Sequence, residues 1–513
     1  MSDLMRMTGM YSGMDTDAVI QSLVSAKAQK VTNLKNDQKK LEWKQNIWQD
    51  LNKKIYNLYS KTLSDMRFTG SYAKKKTKIS DPTKASVTAT GNAVNGVQSL
   101  KINQVAKAGY LTGAELEKKV DSEGKKVNWE SSDKLSDIDS GLVGTTFKLT
   151  VGRNDEAKTT EIKIDENTTI SDFVSKLSSA GVNASFDAAN QRFFVSATDT
   201  GLDKEFKLEA DNAGAMKALG LDTTATYANG SNATRIDAQD AEIVLNGATF
   251  KSSTNNFSIN GLSITVNGVT DKDEELSIST ETDTDGIYNM IKDFISEYND
   301  IINEIYQKYN ADSARKYTML SDEEKEAMSD EEVEKWEDTI KNSLLRKDNT
   351  LQSIMSSLTG VINSSYEVNG KKTWLFDFGI ETLGYFEAEE GERNALHIAG
   401  DADDEAVSAK DDKLRTAIAA DPDSVIDFFS SMCKNMYETL GKQMKATDYS
   451  SIYKVYEDKR MKTEYDDYTK KIKEAEQKLS DYEDKWYKKF SAMEVALSKL
   501  QSNQNTITSM LGM

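Results

Sequence analysis

The C-terminal stretch of residues 461–510 reads MKTEYDDYTKKIKEAEQKLSDYEDKWYKKFSAMEVALSKLQSNQNTITSM. Apolar residues recur in it at alternating steps of three and four, a spacing that keeps them on one side of a helix in a left-handed supercoil. This seam consists of Met461, Tyr465, Tyr468, Ile472, Ala475, Leu479, Tyr482, Trp486, Met493, Ala496, Leu500, Ile507 and Met510. Such a stripe buries against another helix, so the stretch predicts one member of a pair of long helices.

A second seam near the N-terminus predicts the partner helix. Its members are Leu34, Leu41, Trp48 and Ile55 at intervals of seven, with Val31, Leu51 and Leu58 between them. Both seams carry polar interruptions, namely Gln38, Gln45, Lys489 and Asn503, and polar seam residues trade stability for register. An apolar side chain stabilises by about 1.5–3 kcal/mol only when it is buried. We therefore predict helix ends that become ordered on assembly.

Length and charge set the class of protein. A chain of 513 residues is too long for one core and fits about three or four units of about 100–200 residues. The net charge of −19 argues against binding to nucleic acid, which requires clustered Lys and Arg. We also expect no membrane insertion and no cleaved signal peptide, since the sequence has no long apolar stretch and no apolar run behind basic residues at its start.

Rare residues limit the possible chemistry. The chain has one histidine, His397, and one cysteine, Cys433, so a zinc site with several His or Cys ligands and an intrachain disulfide are both ruled out. His397 lies in an alternating, strand-like run, and Cys433 lies among apolar residues at helical spacing, so we interpret both as structural. The segment 283–286 resembles a calcium loop, but Lys292 stands where a bidentate Glu is required; we expect Thr284 or Asp285 to cap a helix there instead. We predict no catalytic residue, no cofactor and no metal.

Local patterns divide the chain into helical and β-rich parts. Asp15 begins a helix that can run to about Met66. Residues 72–280 alternate and turn, as short strands do. The clearest strands begin at Lys84, Leu100, Thr146, Thr160, Arg192, Ala241 and Leu262, and a single short helix covers residues 171–177.

The helical period returns after Gly286. A broad apolar stripe from Ile287 to Tyr309 predicts a helix packed on several neighbours. Asp421 and Pro422 form a start signal for a further helix. The acidic stretch 321–336 contains two capping boxes, Ser321 with Glu324 and Ser329 with Glu332, which predict two short helices in succession.

Both ends of the chain resemble the FliD family of flagellar filament cap proteins, also called hook-associated protein 2. Residues 12–17, SGMDTD, followed by the LEW of residues 41–43, resemble the family's N-terminal signature, with Met14 in place of the expected Leu. Residues 490–504, FSAMEVALSKLQSNQ, are similar to its closing motif. Residues 171–196 resemble a flagellin-type repeat, and segments beginning at Leu344 and Leu414 resemble the leg.

The resemblance implies an α+β multidomain fold in which terminal coiled-coil helices and a helical leg flank inserted β-rich head domains. The expected domains are an N-terminal seam helix at 1–71, an inner head at 72–111 and 232–280, an outer head at 112–231 with the repeat near 169–201, a leg at 281–450 with a small strand-containing segment near 370–400, and a C-terminal helix at 451–513. The outer head is where the resemblance is weakest, over residues 112–165.

The resemblance also implies a function. The protein would be exported unprocessed through the flagellar type III channel and form a ring of copies at the filament tip, where exported flagellin folds and polymerises without being lost. Expected partners are further copies of the chain, flagellin, hook-filament junction proteins and a cytoplasmic export chaperone. Candidate residues for self-assembly or filament contact are Leu34, Leu41, Trp43, Trp48, Ile55, Tyr482, Trp486, Phe490, Met493, Leu500 and Ile507.

Two other functions stay open at this stage. The β-rich head could be an adhesin that binds host mucin or glycans, although Trp129 is the sole tryptophan in residues 112–280 and no aromatic cluster there stands out as a sugar platform. A hook-filament junction protein would share the terminal seams and the export route. Its location is what would distinguish it from a cap.

Overall fold

The structure is a computed structural model that describes residues 12–510 except 213, 385 and 390, and that describes no side chain at 509 and 510. Residues 1–11 and 511–513 of the two predicted terminal segments lie outside the described residues, as does the side chain of Met510 in the predicted seam.

The helices fall mainly at the two ends of the chain. In chain order they are α1 (Thr16–Asn57), α2 (Ser64–Met66), α3 (Leu135–Ile138), α4 (Ile170–Ser179), α5 (Ala215–Ala218), α6 (Thr284–Asn310), α7 (Asp322–Glu326), α8 (Asp330–Ser343), α9 (Asn349–Ile362), α10 (Lys413–Ala420), α11 (Pro422–Gln443) and α12 (Asp458–Met510).

The strands fall mainly between α2 and α6. They are β1 (Lys75–Ile79), β2 (Ala85–Ala89), β3 (Gly96–Gln104), β4 (Tyr110–Thr112), β5 (Lys119–Val120), β6 (Lys126–Val127), β7 (Thr146–Val151), β8 (Lys158–Lys163), β9 (Val182–Asp187), β10 (Arg192–Ala197), β11 (Phe206–Ala210), β12 (Thr234–Ile236), β13 (Ala241–Leu245), β14 (Ala248–Ser252), β15 (Asn256–Ile259), β16 (Leu262–Val266), β17 (Leu276–Thr282), β18 (Tyr366–Val368), β19 (Lys371–Thr373), β20 (Ile380–Thr382) and β21 (Leu396–Ile398). The predicted α+β class is confirmed.

The predicted start of α1 is confirmed, and its end has a feature that the sequence did not indicate. The Asp15 carboxylate accepts a hydrogen bond of 3.0 Å from the Ala18 backbone N–H and so caps the helix. The helix widens into one π-helical segment at Leu58–Leu63 before α2 completes it at Met66. Wider turns of this kind are rare and interrupt otherwise regular α-helices.

The other start signals are also confirmed. Both predicted capping boxes form, at Ser321 before α7 and at Ser329 before α8. The Asp421 side chain caps α11 by accepting from the Ser424 backbone N–H at 3.2 Å. The prediction for α6 was less accurate: this helix begins at Thr284, which places Asp285 inside its first turn, and the Asp285 carboxylate pairs with the Arg415 guanidinium at 2.5 Å.

The chain divides into two compact units. The helical unit comprises Met1–Tyr72 and Thr284–Met513. Its core joins the C-terminal half of α1 to α6, α9, α11 and the start of α12. Its fully buried side chains include Ile55, Phe294, Phe428 and Phe429. Burial of each large apolar side chain stabilises the folded state by about 1.5–3 kcal/mol, so this cluster is the main source of stability in the unit.

The β unit, Ala73–Asp283, contains two modules with separate cores. The first β module has a five-stranded sheet of order β1-β17-β3-β13-β14 and a three-stranded sheet of order β15-β16-β2. The second β module lies between β3 and β13 in the chain and has a four-stranded sheet of order β12-β4-β10-β9, a three-stranded sheet of order β11-β7-β8 and the β5-β6 ribbon. Helix α4 packs its Phe173 into the second core, between Phe147 and Phe193.

Candidate functional site

The two seam helices, α1 and α12, pack against each other in opposite directions, and we call them the terminal pair. Residues late in α1 contact the segment that leads into α12, Gln38 in the middle of α1 contacts Tyr465 early in α12, and the first residues of the described chain contact Glu494 further along α12. The partner-helix prediction from the seam is thereby confirmed. The contacts between the two helices differ between the base, the middle and the tip of the pair.

The base of the terminal pair belongs to the core of the helical unit. Trp48 of α1 stacks on Tyr456, with ring centroids 5.5 Å apart and planes 8° from parallel. The buried Asn52 amide donates to the Tyr453 carbonyl at 3.2 Å and accepts from the Val455 backbone N–H at 2.9 Å. Both hydrogen-bonding functions of this buried amide are thus satisfied, so Asn52 fixes the approach of the chain to α12 without leaving a polar group unpaired.

The middle of the terminal pair is held by polar contacts. The Gln38 amide donates to the Thr469 hydroxyl at 2.7 Å and to the Tyr465 carbonyl at 3.3 Å. Lys35 pairs with Glu476 at 2.7 Å, although both side chains are about half exposed. An exposed ion pair contributes about 0–1 kcal/mol, so the Gln38 contacts are the more specific tie. Gln38 is one of the predicted polar interruptions, and it fixes the register at the cost of apolar contact.

The tip of the terminal pair joins the two ends of the chain. Ser12 donates from its backbone N–H to the Glu494 carboxylate at 3.3 Å, and the Ser12 hydroxyl makes a second contact with the same carboxylate. Glu494 is only 3% exposed. About two turns of α12 away, the Tyr487 hydroxyl donates to the Asp17 carboxylate at 3.0 Å. The N-terminal signature and the closing motif are therefore in direct contact.

Burial of the candidate residues falls from the base of the terminal pair towards its tip. Leu41, Trp43, Trp48 and Ile55 are buried; Leu34, Tyr482, Trp486, Phe490 and Met493 are partly buried; Leu500 and Ile507 are 64% and 58% exposed. The buried candidates have partners within the chain, and the exposed ones lie near the end of α12. A role for any of them in contacts with other subunits stays a prediction.

Trp43 stands apart from the seam. Its ring faces α8, where the Lys341 ammonium group lies 5.2 Å from the ring centroid. The next residue, Lys44, pairs with Asp348 at 3.2 Å. The LEW segment of the N-terminal signature therefore serves two purposes: Leu41 packs in the core with the seam, and Trp43 attaches α1 to the rest of the helical unit.

The rare residues have structural surroundings, as predicted. His397 lies in β21 and its Nδ1 is 2.6 Å from the Asp404 carboxylate. Cys433 is fully buried in α11, and burial raises the pKa of its thiol to about 12, so the reactive thiolate is strongly disfavoured. Among residues 12–510, apart from the three that are not described, no three His, Cys, Asp or Glu side chains come together as a metal site would require.

Over the same described residues, no helix combines the length and the apolar character needed to cross a bilayer.

Two functional features of the terminal pair were not found from the sequence. Glu494 and Asn52 are buried polar residues of the kind that usually marks a specific contact, but each looks like an ordinary solvated position beside its seam. A polar residue flanked by seam positions carries no signal of its own until the opposite helix is placed.

Trp129, considered as a sugar platform, is 6% exposed and donates from its indole N–H to the Glu117 carbonyl at 2.8 Å.

Comparisons with known proteins match segments that include α1 and most of α12. Residues 12–109 match the family model for the flagellar hook-associated protein 2 N-terminus, and residues 238–502 match the model for its C-terminus. The chain is 24% identical over 443 residues to flagellar hook-associated protein 2 of Halalkalibacterium halodurans, covering 82% of this chain and 78% of that protein. It is 23% identical over 381 residues to flagellar hook-associated protein 2 of Escherichia coli K12, covering 73% of each.

Among solved structures, the chain resembles the D1-D2-D3 domains of the flagellar cap protein FliD from Escherichia coli. The identity is 18% and the TM-score is 0.48, with 77% of this chain and 97% of that chain covered.

Proposed function

The chain belongs to the flagellar hook-associated protein 2 family, whose C-terminal model alone matches more than half of it, and on that premise we propose that it caps the flagellar filament. A ring of copies at the distal tip promotes the folding and polymerisation of exported flagellin and prevents its loss. The cap acts by holding space and surfaces in place, without bond chemistry.

The observation that carries the proposal is the exposed apolar surface of α12 beyond the Ser12–Glu494 contact. Trp48 at the base is 2% exposed, whereas Leu500 and Ile507 near the end of α12 are more than half exposed. An apolar side chain gains its stabilisation only when it is buried. This last part of α12 therefore offers apolar surface that flagellin subunits at the end of a filament would cover.

The polar ties of the terminal pair suit a cap that moves as the filament grows. Gln38 and the Lys35–Glu476 ion pair hold the middle of the pair with hydrogen bonds that water can replace. Elements that move in function are drawn from the less stable parts of a protein. Contacts that form and break with each added flagellin must be individually weak, and seam positions filled by Gln and Lys supply that weakness.

The proposed cap function includes a domain arrangement, an export route and a location. Residues 1–71 and 451–513 form the terminal segments, 281–450 the leg, 72–111 with 232–280 the inner head, and 112–231 the outer head. The protein reaches the outside of the cell through the flagellar type III channel with the help of a cytoplasmic chaperone, and it works at the filament tip beyond the hook-filament junction proteins. Binding of host mucin or glycans by the head stays a separate prediction.

The location of the protein distinguishes a cap from a junction protein. We would raise antibodies against the full folded chain and select those that bind the β unit. Intact flagella labelled with these antibodies and gold would then be imaged by electron microscopy to record the position of the label. Label at the distal end of the filament supports the cap. Label confined to the boundary between hook and filament would contradict it, and label spread over the cell surface would favour an adhesin.

A further inference from the structure

The π-helical segment Leu58–Leu63, which we call the wide turn, accommodates a step of five between two buried leucines. Leu58 and Leu63 are 1% and 0% exposed, so both face the core of the helical unit. In an α-helix of 3.6 residues per turn, a step of five would set the two side chains about 140° apart. The hydrogen bonds of a π-helix reach one residue further than those of an α-helix, so the wide turn takes up the extra residue.

The wide turn lies where the N-terminal helix changes its packing partner. Before the turn, Trp48 and Asn52 of α1 contact the segment that leads into α12. After the turn, α2 packs against α11. The Arg67 guanidinium, just beyond α2, lies 4.0 Å from the centre of the Tyr437 ring of α11. The helix therefore has one attachment on each side of the wide turn.

Four tyrosine rings, which we call the tyrosine cluster, pack around the wide turn. Tyr59, within the turn, stacks on Tyr437 with ring centroids 4.3 Å apart and planes 10° from parallel. The Tyr56 and Tyr453 rings complete the cluster, each with its centroid 6.4 Å from that of Tyr59. Aromatic pairs attract each other over a range of offsets and angles. A flat stack such as Tyr59 on Tyr437 can therefore slide without coming apart.

The second connection of the terminal pair has a rare backbone conformation at the same cluster. Tyr453, in the segment between α11 and α12, has a φ of +63°, where a bulky side chain is an outlier. Its N–H donates to the Met444 carbonyl at 2.9 Å, and its carbonyl accepts from the Asn52 amide at 3.2 Å. Such conformations persist only where the surroundings hold them, and they cluster at switch regions.

Two small residues favour movement at the wide turn. The Ser60 hydroxyl donates to the Tyr56 carbonyl at 2.7 Å, and a bond of this kind to the preceding turn often bends a helix. Gly441 of α11 lies beside Tyr59, and a Cβ added there would be 3.5 Å from the ring. A glycine within a helix is less stable than an alanine. At Gly441, α11 therefore gives up helix stability and leaves space beside the Tyr59 ring.

The ties that α6 makes across the wide turn are polar. Glu304 pairs with Lys54 before the turn at 2.6 Å. Glu297 accepts a hydrogen bond of 2.6 Å from the Thr62 hydroxyl within the turn. Both contacts are exposed, and water replaces exposed polar contacts at little cost. These ties guide the helix without locking it in one position.

We propose that the wide turn and the tyrosine cluster form a joint between the terminal pair and the rest of the helical unit. Both connections of the pair carry their rare backbone conformation here, one in the wide turn and one at Tyr453. π-Helical turns are frequent at functional sites, and sharp bends of helices occur at them. At this joint the pair changes its angle while Tyr59 slides on Tyr437. The inference rests on the proposed function, since a cap that follows a growing filament must move its terminal pair while its core stays folded.

The test removes the wide turn from the full chain without removing an apolar residue. Deletion of Lys61, an exposed residue of the turn, sets Leu58 and Leu63 four apart, the spacing of one face of an α-helix. The matched control is deletion of Lys53, an exposed residue in the regular part of α1. That deletion rotates all preceding residues by about 100° out of the seam.

We expect the Lys61 deletion to keep or raise the melting temperature, measured by scanning calorimetry, because a regular helix replaces the wide turn. Amide hydrogen exchange over residues 56–66 should slow at least tenfold. The Lys53 deletion should lower the melting temperature. A Lys61 deletion that lowers it as much as the Lys53 deletion would overturn the inference, because the wide turn would then be a requirement of packing. Unchanged exchange in the Lys61 deletion would overturn it as well.

Filament growth in a strain lacking the gene gives the functional readout. We expect the folded Lys61 deletion to restore filaments at most a tenth as long as those of the unaltered chain. Gly441→Ala, which fills the space beside Tyr59, is a milder second variant and should also shorten them. Filaments of full length with both folded variants would overturn the joint. If the unaltered chain restores no filaments, the proposed function fails, and the joint then stands or falls by the exchange and melting results.

Discussion

Ser12 and Glu494 are 482 residues apart in the chain, yet the Ser12 backbone N–H and hydroxyl both contact the Glu494 carboxylate. This contact joins the two motifs by which the ends of the chain resemble the hook-associated protein 2 family. Because Glu494 is buried, the carboxylate depends on protein donors in place of water.

Removal of the Ser12 hydroxyl should loosen the tip of the terminal pair. A hydrogen bond to a charged group contributes about 1.5–3 kcal/mol, and 1.4 kcal/mol is a factor of ten in an opening equilibrium. We expect Ser12→Ala to accelerate amide hydrogen exchange around residues 490–497 about tenfold. Glu476→Ala, which removes only the half-exposed pair with Lys35, is the control and should change exchange little. Equal effects of the two substitutions would contradict a specific role for the tip contact.

Replacement of Gln38 by Leu tests the polar seam. The Thr469 hydroxyl keeps its own hydrogen bond to the Tyr465 carbonyl, at 3.1 Å, so the substitution leaves no unpaired group there. We expect Gln38→Leu, combined with aliphatic replacements at Gln45, Lys489 and Asn503, to raise the free energy of unfolding of the terminal pair and to slow filament growth. A stabilised variant that grows filaments at the normal rate would refute the link between weak contacts and cap movement.

Truncation of Trp48 should destabilise the whole helical unit. Its ring stacks on Tyr456 and is 2% exposed, and replacement of a buried Trp by Ala costs about 3–5 kcal/mol. Urea unfolding of Trp48→Ala should show this loss, together with earlier labelling of the buried Cys433 thiol by a disulfide reagent. Leu500→Ala is the control, because an exposed position changes stability by less than about 0.5 kcal/mol. A loss at Trp48 as small as that at Leu500 would contradict the assignment of the base to the core.

Gly201 brings the two β modules together. It has a φ of +92°, and a Cβ at this position would lie 2.6 Å from the Ser253 Cα, while the neighbouring Thr200 hydroxyl donates to the Ser253 carbonyl at 2.9 Å. A backbone with φ of +92° and ψ of 159° is accessible essentially only to glycine, and overlap with Ser253 adds to the cost of a side chain at Gly201. We expect Gly201→Ala to lower the melting temperature of the β unit more than Gly230→Ala does. Gly230 also has a positive φ, of +72°, but a Cβ added there would meet no atom within 4 Å. Equal shifts would exclude the close approach as the cause.

Acid should weaken the second β module through the cap of α4. Hydrogen bonds from the Thr169 backbone N–H and hydroxyl lower the pKa of Asp172 below its usual value near 3.8. A carboxylate whose pKa is lowered by folding stabilises the folded state above its unfolded pKa, and that contribution is lost as the pH falls through the folded pKa. Asp172→Asn should therefore reduce the melting temperature at pH 7, and this reduction should shrink progressively as the pH falls below about 3.8 and on through the folded pKa. A reduction that stays constant over this fall in pH would contradict the mechanism.

Much of the local structure could be predicted from the sequence because its signals are local. A helix cap such as Asp421 or a capping box such as Ser329 with Glu332 acts within one turn, and the heptad spacing of Leu34, Leu41 and Trp48 needs only a partner helix. The π-helical segment at Leu58–Leu63 has no such local signal.

The side-by-side placement of β4, β10 and β12 could not be predicted, because these strands are distant in sequence. Tyr110, Phe194 and Ile236 lie on β4, β10 and β12, and only the sheet order β12-β4-β10-β9 places them side by side. Single exposed aromatic residues are common on protein surfaces and carry no meaning alone. The buried Glu494 was missed for the same reason, since its partner Ser12 is at the opposite end of the chain.

The central claim is that this protein caps growing filaments, and deletion of its gene tests that claim most directly. The measurement is the amount of monomeric flagellin in the medium, with filament lengths recorded by electron microscopy on the same cells. The cap function predicts short or absent filaments with flagellin lost to the medium, both reversed by the unaltered gene. Filaments of normal length with no flagellin in the medium would contradict it.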